Sequence, residues 1–506
     1  MRKITIILLL GIIILAAFLR LYKISTNPPG LYWDEASIGY NAYSILQTGK
    51  DEHGEFLPLA FKSFGEYKLP VYIYLAALSE SIFGPTEFAV RLPSALAGIL
   101  TVFLLFSLVS TLFSNRNLAL LSSLFLAISP WHIHFSRAAF EANLALFFLT
   151  LGVVCFLVAR KRYFLLFLSS LSFTLTLYTY STARLFTPLL LFFLIFVYRK
   201  DFRLKKSLWI FSSLLFFIVF YLFILISPGA FTRFNSINAL QGYSPLDWPL
   251  AYIKNYLQYF SFDFLFFRGD QIARHGVEKM GNLYFFSIPL LLIGFFQLLK
   301  LPQRKPKLIL FSWLFLAPMA AAFTNPSPHS LRSLNIIIPL EIISAFGLWV
   351  IIKWLKTFLK SSLLFIPSYG LIMLTITYFF LSYLHLYFSH YPKTASLAWQ
   401  GGNKEMAQSV LHQENNFDKI LISDSLEQTY IYLLFYGRIN PEAYQKSRTN
   451  VGFGKYYFLK DTWPPKNSAK TLWALSFREK FKPDAKFVKS IKIPNGDTVY
   501  QLWEKE

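Results

Sequence analysis

Several charged side chains of this 506-residue chain lie beside long apolar stretches. They are the carboxylates of Asp34, Glu35, Glu66 and Glu141, the ammonium group of Lys68, the guanidinium groups of Arg137, Arg274 and Arg332, and the imidazoles of His275 and His329. Each one alone is explained by a solvated loop next to a membrane span. Together they suit a reaction on a lipid phosphate, because cations can hold the phosphate while a carboxylate takes a proton from an acceptor hydroxyl.

Apolar helices are the elements that would position these groups. Hydrophobic residues make up 55% of the chain and occur in long uncharged blocks, which predicts a mainly α, polytopic membrane protein. The first block has no small-residue cleavage site after it and is expected to stay as an uncleaved span. The eleven predicted spans are residues 4–21, 91–113, 118–135, 141–159, 163–180, 184–198, 207–226, 281–299, 308–323, 334–352 and 362–388.

The distribution of positive charge predicts the topology. The apolar block 69–84 is shorter than the ~20 residues that a spanning helix needs, and we place it as a shallow helix on the outer face. All the basic loops then fall on one side, with eighteen Lys and Arg residues and a single acid, Asp201, as expected of cytoplasmic loops. The loops 22–90, 135–141 and 227–280 and the C-terminus are therefore predicted to be extracytoplasmic, in a bacterial plasma membrane. The net charge of +22 is explained by this topology, and no nucleic-acid partner is expected.

The composition divides the chain into two predicted domains, a transmembrane domain at 1–390 and a soluble α/β domain at 391–506. In the second, "DKILISD" predicts a strand that leads to a helix, and two strands are expected around the Asn495-Gly496 turn. Interfacial helices are predicted near 35–47 and 248–260. The α/β domain has no phosphate-loop or metal-binding motif, and no chemistry is assigned to it.

Several segments resemble a known family, the GT-C type glycosyltransferases that use polyprenyl-phosphate sugars. The similarity is to bacterial relatives of protein O-mannosyltransferases and of lipid A aminoarabinose transferases, and it extends over roughly residues 1–390. The chain departs from the family's Glu-Lys-Pro-Pro segment at Tyr67 and Leu69. The similar segments are "WDEASIGYNAYSIL", "GEYKLPVYIYLAALSESIFGPTEFAVRLPSALAGIL", "SPWHIHFSRAAFEANLALFFLTL", "RGDQIARHGVEKMGNLYFFSIPLLLIG" and "NPSPHSLRSLNIIIPLEIISAFG".

The resemblance implies an inverting transfer, in which an acceptor hydroxyl attacks the anomeric carbon of the lipid-linked sugar and the lipid phosphate leaves. Asp34 matches the first acid of the family's first-loop motif and is the predicted base. Glu141 matches the second-loop acid and is predicted to orient the acceptor or the base. The predicted substrate and phosphate contacts are Glu35, Tyr40, Lys68, Arg137, Arg274 and Arg332. A helix-start acid also explains Glu35, and an interfacial aromatic belt also explains Tyr40.

A cofactor is not expected to be required, although a divalent metal is compatible with the resemblance, with Glu66 and His275 as its predicted ligands. The predicted partners are a polyprenyl-phosphate sugar donor, a lipid, glycan or protein acceptor, and membrane lipid. A transporter or flippase for a lipid-linked or anionic solute is the alternative, but it would be expected to carry charges near the bilayer midplane in two related halves. A lipid-linked glycan polymerase or ligase is a third possibility, which changes only the acceptor.

Overall fold

Helices cover most of the apolar sequence in the computed structural model, which describes residues 2–160, 162–201, 207–227, 235–359, 362–460, 470–480 and 483–505. In chain order, the α-helices are α1 Arg2–Leu21, α2 Trp33–Thr48, α3 Pro70–Phe83, α4 Glu87–Phe113, α5 Arg116–Ile128, α6 Pro130–Ser136, α7 Glu141–Ala159, α8 Leu165–Leu177, α9 Ala183–Tyr198, α10 Ser207–Ile226, α11 Trp248–Gln258, α12 Ser287–Lys300, α13 Arg304–Leu316, α14 Met319–Ala322, α15 Ile337–Phe358, α16 Ser362–His385, α17 Tyr391–Thr394, α18 Asn403–Gln413, α19 Tyr430–Tyr436 and α20 Pro441–Ser447.

Each of the eleven predicted spans contains a helix. Within the described residues, seven helices are long and apolar enough to cross a membrane. The count rises to eight if α5 and α6, which meet at a 59° bend, form one span. The other predicted spans correspond to the shorter helices α8, α9 and α12, while the block at 69–84 is the short helix α3. These helices support a multi-pass membrane protein.

The chain divides into two compact units. The first unit combines Met1–Tyr22 with Ser94–Leu386, and the second combines Lys23–Pro93 with Tyr387–Glu506. The second unit therefore joins the loop after the first helix to the C-terminal part of the chain, whereas the sequence prediction assigned these two segments to different domains.

Helices of the first unit approach closely where glycines replace side chains. A Cβ atom added at Gly294 of α12 would lie 2.0 Å from the carbonyl oxygen of Ile343, and one added at Gly347 of α15 would lie 2.0 Å from that of Leu290. The backbones of the two helices therefore touch at these positions. Small residues of this kind are the usual basis of helix packing in membranes, where lipid supplies no hydrophobic force between helices.

The second unit contains a short hairpin and a six-stranded sheet. The hairpin pairs β1 Phe61–Ser63 with β2 Glu66–Lys68. The sheet has the order β4-β5-β3-β6-β8-β7, in which β3 runs parallel to both of its neighbours and the other pairs are antiparallel. Its strands are β3 Lys419–Ser423, β4 Gly452–Phe453, β5 Tyr456–Leu459, β6 Thr471–Ser476, β7 Lys486–Lys492 and β8 Thr498–Lys505. The predicted strand before α19 and the predicted β7–β8 hairpin are both confirmed.

The two sequence segments of the second unit pack through a glycine. A Cβ atom added at Gly39 of α2 would lie 2.4 Å from the ring of Phe435 in α19. The hydroxyl of Tyr432 donates to the carbonyl oxygen of Leu31 at 3.0 Å, and the backbone N–H of Trp33 donates to Oε1 of Gln400 at 2.9 Å. The start of α2, where the predicted base lies, is therefore held by residues from the C-terminal part of the chain.

Candidate functional site

Asp34 and Lys68 form an ion pair in the second unit. Asp34 lies in the first turn of α2, and Lys68 is the last residue of β2, just before α3. The Lys68 Nζ donates to the Asp34 Oδ1 at 2.5 Å. The lysine side chain is 4% exposed, whereas the aspartate side chain is 32% exposed. The arrangement thus offers a carboxylate that a solvent-side ligand can reach, together with a largely buried cation.

A second ion pair, between Glu35 and Arg91, fixes the backbone that carries Asp34. Both side chains are buried, and Nε and Nη2 of Arg91 each donate to a different carboxylate oxygen of Glu35 at 2.9 Å. Glu35 also accepts the backbone N–H of Tyr32 at 3.1 Å, which satisfies one of the free donors at the start of α2. Glu35 therefore supports the start of α2, and its predicted contact with the substrate stays a prediction.

Arg91 has further partners in the loop before α2. Its guanidinium donates to the carbonyl oxygens of Ile24 and Pro28 at 2.9 and 3.0 Å and also to that of Gly30. Arg91 is not among the site residues predicted from the sequence. The sequence signal was the Arg91-Leu92-Pro93 segment, which lies in the second turn of α4, but the carbonyl groups that the arginine binds carry no signature in the sequence.

Tyr40 and Glu66 also belong to the second unit. The ring of Tyr40 is fully buried, and its hydroxyl donates to the carbonyl oxygen of Ile439 at 3.1 Å. Burial, followed by the charge of Glu52, raises the pKa of Tyr40, so its phenol stays neutral. Glu66 begins β2 opposite Ser63 and is partly buried. The roles predicted for these residues, sugar contact and metal ligand, stay predictions.

The first unit contains a buried group of one carboxylate and two imidazoles. One ligand atom from each of Asp270, His275 and His329 lies within 4.8 Å of the others. The Asp270 Oδ2 is 3.4 Å from the Nδ1 of His275 and 3.7 Å from the Nδ1 of His329. Asp270 also accepts the backbone N–H groups of Ile272 and Ser330, at 2.9 and 2.6 Å. The group thereby connects the loop before α12 to the loop before α15.

The electrostatics of this group suit a cation. Burial alone would raise the pKa of Asp270, but the imidazole of His275, whose Nδ1 is 3.4 Å away, and that of His329 lower it to about 2. Burial lowers the pKa of His275, so that its imidazole is neutral near pH 7. An ionised carboxylate and neutral imidazoles are the protonation states in which these side chains bind metals, and zinc accepts both kinds of ligand.

Arg137 and Glu141 lie at the connection between α6 and α7 in the first unit. Arg137 is fully buried and donates to the carbonyl oxygens of Leu19 and Tyr22, both at 2.6 Å. These bonds tie the connection to the end of α1. Glu141 is the first residue of α7 and is partly buried.

Arg332 and Arg274 lie in loops of the first unit. Arg332 is 8% exposed and donates to the Oγ1 of Thr324 and to the carbonyl oxygen of Asn325, both at 2.9 Å. The backbone oxygen of Arg274 is 2.8 Å from the Nε2 of His134. The phosphate-binding roles of the three arginines stay predictions, and the bonds described here explain why buried guanidinium groups are tolerated at Arg137 and Arg332.

The structure therefore brings some of the predicted residues together and assigns others to different units. The second unit contains Asp34 with its neighbour Glu35 and its ion-pair partner Lys68. The first unit contains His275, which groups with Asp270 and His329. The other predicted metal ligand, Glu66, belongs to the second unit. From the sequence, His329 is predicted only as one of the charged residues beside the apolar stretches, and Asp270 is not among the predicted site residues. Because the two lie in loops far apart in the chain, their residue types alone could not pair them.

Comparison with known proteins identifies the family that the membrane part resembles. Residues 68–226 match the family model described as dolichyl-phosphate-mannose-protein mannosyltransferase. The "Putative mannosyltransferase YycA" of Bacillus subtilis (strain 168) is 29% identical over 158 residues, which is 30% of this chain and 22% of that protein. The chain thus corresponds to less than a quarter of this relative's length.

Solved structures extend the similarity to nearly the whole chain. ArnT from Cupriavidus metallidurans, bound to undecaprenyl phosphate, is similar with a TM-score of 0.59 and 11% identity, over 98% of this chain and 97% of that one. The Archaeoglobus fulgidus oligosaccharyltransferase in its apo form has a TM-score of 0.56 and 14% identity, over 86% of this chain and 64% of that one. The same enzyme has also been solved in complex with Zn and sulfate, with a TM-score of 0.51. At these identities, the likeness concerns the fold. The resemblance predicted from the sequence, to the GT-C glycosyltransferases, is therefore confirmed by the fold of nearly the whole chain and by the sequence of residues 68–226.

Proposed function

We propose that the protein transfers a sugar from a polyprenyl-phosphate donor to an acceptor hydroxyl at the outer face of the membrane. The observation that carries the proposal is the ion pair between Asp34 and Lys68, since it combines a partly exposed carboxylate with a cation that could hold a phosphate. The match to a mannosyltransferase family and the similarity to an ArnT bound to undecaprenyl phosphate support this substrate class. These comparisons favour a transferase over the alternative of a transporter.

In the proposed reaction, Asp34 accepts the proton of the acceptor hydroxyl as that oxygen bonds to the anomeric carbon. The bond between the anomeric carbon and the phosphate oxygen breaks, and the lipid phosphate leaves with the electron pair. Attack opposite the leaving group inverts the anomeric centre. Lys68 compensates the negative charge that grows on the phosphate, which is the kind of stabilisation that accelerates such a step most.

The ion pair suggests an order to these events. Without substrate, the ammonium group of Lys68 is shared with Asp34 at 2.5 Å. A donor phosphate that binds the ammonium group of Lys68 would weaken the ion pair between Lys68 and the carboxylate of Asp34. Asp34 would then become a stronger base at the moment when the sugar is in place.

A divalent metal would have a separate place in the first unit. Asp270, His275 and His329 would hold it, and the solved complex of the oligosaccharyltransferase with Zn makes zinc a reasonable ion to test. A bound ion would neutralise Asp270 and hold the loops before α12 and α15 together. Glu66, the other predicted ligand, lies outside this group.

The membrane arrangement that we propose has the N-terminus inside the cell and the C-terminus outside. It rests on the eighteen Lys and Arg residues in the predicted cytoplasmic loops. Asp34 and Lys68 would then act on the extracytoplasmic side, where Arg137, Arg274, Arg332 and Glu141 are also proposed to lie.

The proposal is tested by incubating the purified full-length protein, in detergent, with radiolabelled polyprenyl-phosphate sugars and a membrane extract as acceptor source. Wild type should remove label from one of these lipids, and Asp34→Asn should reduce that rate by about 10²–10⁴-fold, the usual contribution of general-base catalysis. The control is Glu55→Gln, which alters an exposed carboxylate in the same loop. Unchanged turnover in Asp34→Asn would refute the role of the base, and no turnover by wild type with any donor would refute the transfer itself.

A further inference from the structure

Three aromatic rings form a row beside the ion pair of Asp34 and Lys68. The row consists of Trp33, Phe64 and Tyr430, each of which is partly exposed. The ring centroids of Trp33 and Phe64 are 6.4 Å apart, and those of Phe64 and Tyr430 are 6.1 Å apart. The Nζ of Lys68 lies 5.7 Å from the centroid of the Phe64 ring. The row therefore begins at the proposed reaction centre and extends to a residue of the C-terminal part of the chain.

Phe64 holds its place in the row through an unfavourable backbone conformation. It forms the two-residue turn of the β1–β2 hairpin with Gly65, and both residues have positive φ angles, of 53° and 80°. Asn-Gly suits this turn best, and a left-handed conformation costs an ordinary residue roughly 1–2 kcal/mol. Because the ring of Phe64 is only partly buried, hydrophobic packing of this ring in the core does not account for the unfavourable backbone conformation. Strain at such a position points to a function for the side chain.

Tyr430, at the other end of the row, is backed by buried groups. Its ring lies nearly parallel to that of Tyr444, at a centroid distance of 6.5 Å. The carboxylate of Glu52 is fully buried nearby, and after burial itself it is the largest cause that raises the pKa of Tyr430 and Tyr444. The phenol of Tyr430 therefore stays neutral.

We propose that this row binds the acceptor and that the acceptor is a carbohydrate. The inference rests on the proposed function, in which Asp34 takes the proton of the acceptor. A sugar ring presents a face of C–H groups that can pack on aromatic rings, while its hydroxyl groups can donate to Asp34. The Lys68 Nζ lies 2.5 Å from the Asp34 Oδ1 and 5.7 Å from the centroid of the Phe64 ring, so a sugar on the row would have a hydroxyl near the base. A serine or threonine hydroxyl of a peptide, or a simple aliphatic alcohol, has no sugar ring that could pack on the aromatic rings of the row.

The proposal gives the C-terminal part of the chain a role in acceptor choice, because Tyr430 comes from it. The donor would be recognised separately, through its phosphate at Lys68. A change in the row should therefore weaken binding of the acceptor far more than binding of the donor. This separation is what the experiment measures.

The test compares Phe64→Asn with wild type in the full-length, detergent-solubilised protein. Asparagine favours the left-handed turn, so the hairpin should form at least as well without the ring. Binding of a panel of methyl pyranosides is measured by saturation-transfer NMR, and binding of polyprenyl phosphate is measured in parallel. Phe64→Asn should weaken pyranoside binding about tenfold, the equivalent of the ~1.4 kcal/mol at the upper end for one aromatic contact. Phe64→Tyr should restore it, and polyprenyl-phosphate binding should change by less than about twofold, because the Lys68 Nζ lies 5.7 Å from the Phe64 ring centroid, near the ~6 Å limit of a cation–π contact.

Phe56→Asn is the matched control, because Phe56 is 69% exposed in the same loop and takes no part in the row. Pyranoside binding that is unchanged in Phe64→Asn, or reduced equally in Phe56→Asn, would overturn the proposal. So would transfer to a peptide or to an aliphatic alcohol in preference to every pyranoside. The binding measurement does not depend on turnover. Loss of pyranoside binding in Phe64→Asn would therefore support carbohydrate binding by the row even if Asp34→Asn showed that the assignment of the base is wrong.

Discussion

Replacement of Arg91 by leucine should open the segment before α2. The substitution removes five donated hydrogen bonds, two to Glu35 and one each to the carbonyl oxygens of Ile24, Pro28 and Gly30. It also leaves the buried carboxylate of Glu35 without its counter-ion. Loss of one partner from a buried ion pair typically costs about 3–5 kcal/mol. We therefore expect the opening equilibrium of this segment to rise by at least about a hundredfold.

Hydrogen exchange of residues 23–35, followed by mass spectrometry on the full-length protein, measures that opening. The variant Arg91→Leu with Glu35→Gln should recover part of the loss, because the uncompensated charge is gone while the three carbonyl oxygens still lack their donor. Arg91→Lys should fall between wild type and Arg91→Leu. Exposed Arg116, changed to leucine, is the control.

The reasoning would be refuted if exchange in residues 23–35 were the same in Arg91→Leu as in Arg116→Leu. It would also fail if addition of Glu35→Gln made the opening worse. In that case, the guanidinium would contribute through packing alone, and the alignment of Asp34 would have to depend on other contacts of α2.

Two further predictions concern single side chains. Zinc at a hundred times its dissociation constant should stabilise wild type by about 2.7 kcal/mol, seen as a higher melting temperature that a chelator reverses, and His329→Ala should lose this shift. Asp424→Asn should be more stable than wild type at pH 7. Burial raises the pKa of Asp424 despite hydrogen bonds from Thr429, so its contribution to stability is greatest below the unfolded pKa of about 3.9 and is lost as pH rises through the folded pKa. Thermal unfolding at pH 3.5 and 7 should therefore show the difference only at the higher pH.

Each of these has a clear opposite result. An equal zinc-dependent shift in His329→Ala would mean that the ion binds elsewhere. A lower stability of Asp424→Asn at pH 7 would mean that the bonds from Thr429 outweigh the burial of the charge.

The positions of the helices could be predicted from the sequence because apolar composition decides them. Each predicted span contains a helix, and α3 is as short as the block at 69–84 implied. The lengths of the helices were less predictable from the sequence. The block at 281–299 yields a helix only from Ser287, because the residues before it follow the turns of a loop. Within the part of the chain that the structure describes, seven helices, or eight with the bent pair, are long enough to span, against the eleven spans predicted.

The candidate site was predictable only where its residues share a short segment or a family motif. Asp34 and Lys68 come from two such segments, and the structure joins them. The contact of Phe64 with both Trp33 and Tyr430 had no counterpart in the sequence, because Tyr430 lies in a part of the chain to which no chemistry was assigned. The pairing of Asp270 with His329 depends on how two loops meet, which neither local pattern nor composition determines.

The packing of Gly39 against Phe435 has a consequence for the biogenesis of the protein. During translation, α2 emerges from the ribosome long before α19. The contact of Gly39 with Phe435 and the hydrogen bond from Tyr432 to Leu31 therefore cannot form until almost the entire polypeptide has been made. The bonds from Arg91 to Glu35 and to the loop before α2 join residues of the N-terminal part of the chain and are available much earlier, so the start of α2 receives its contacts in two stages.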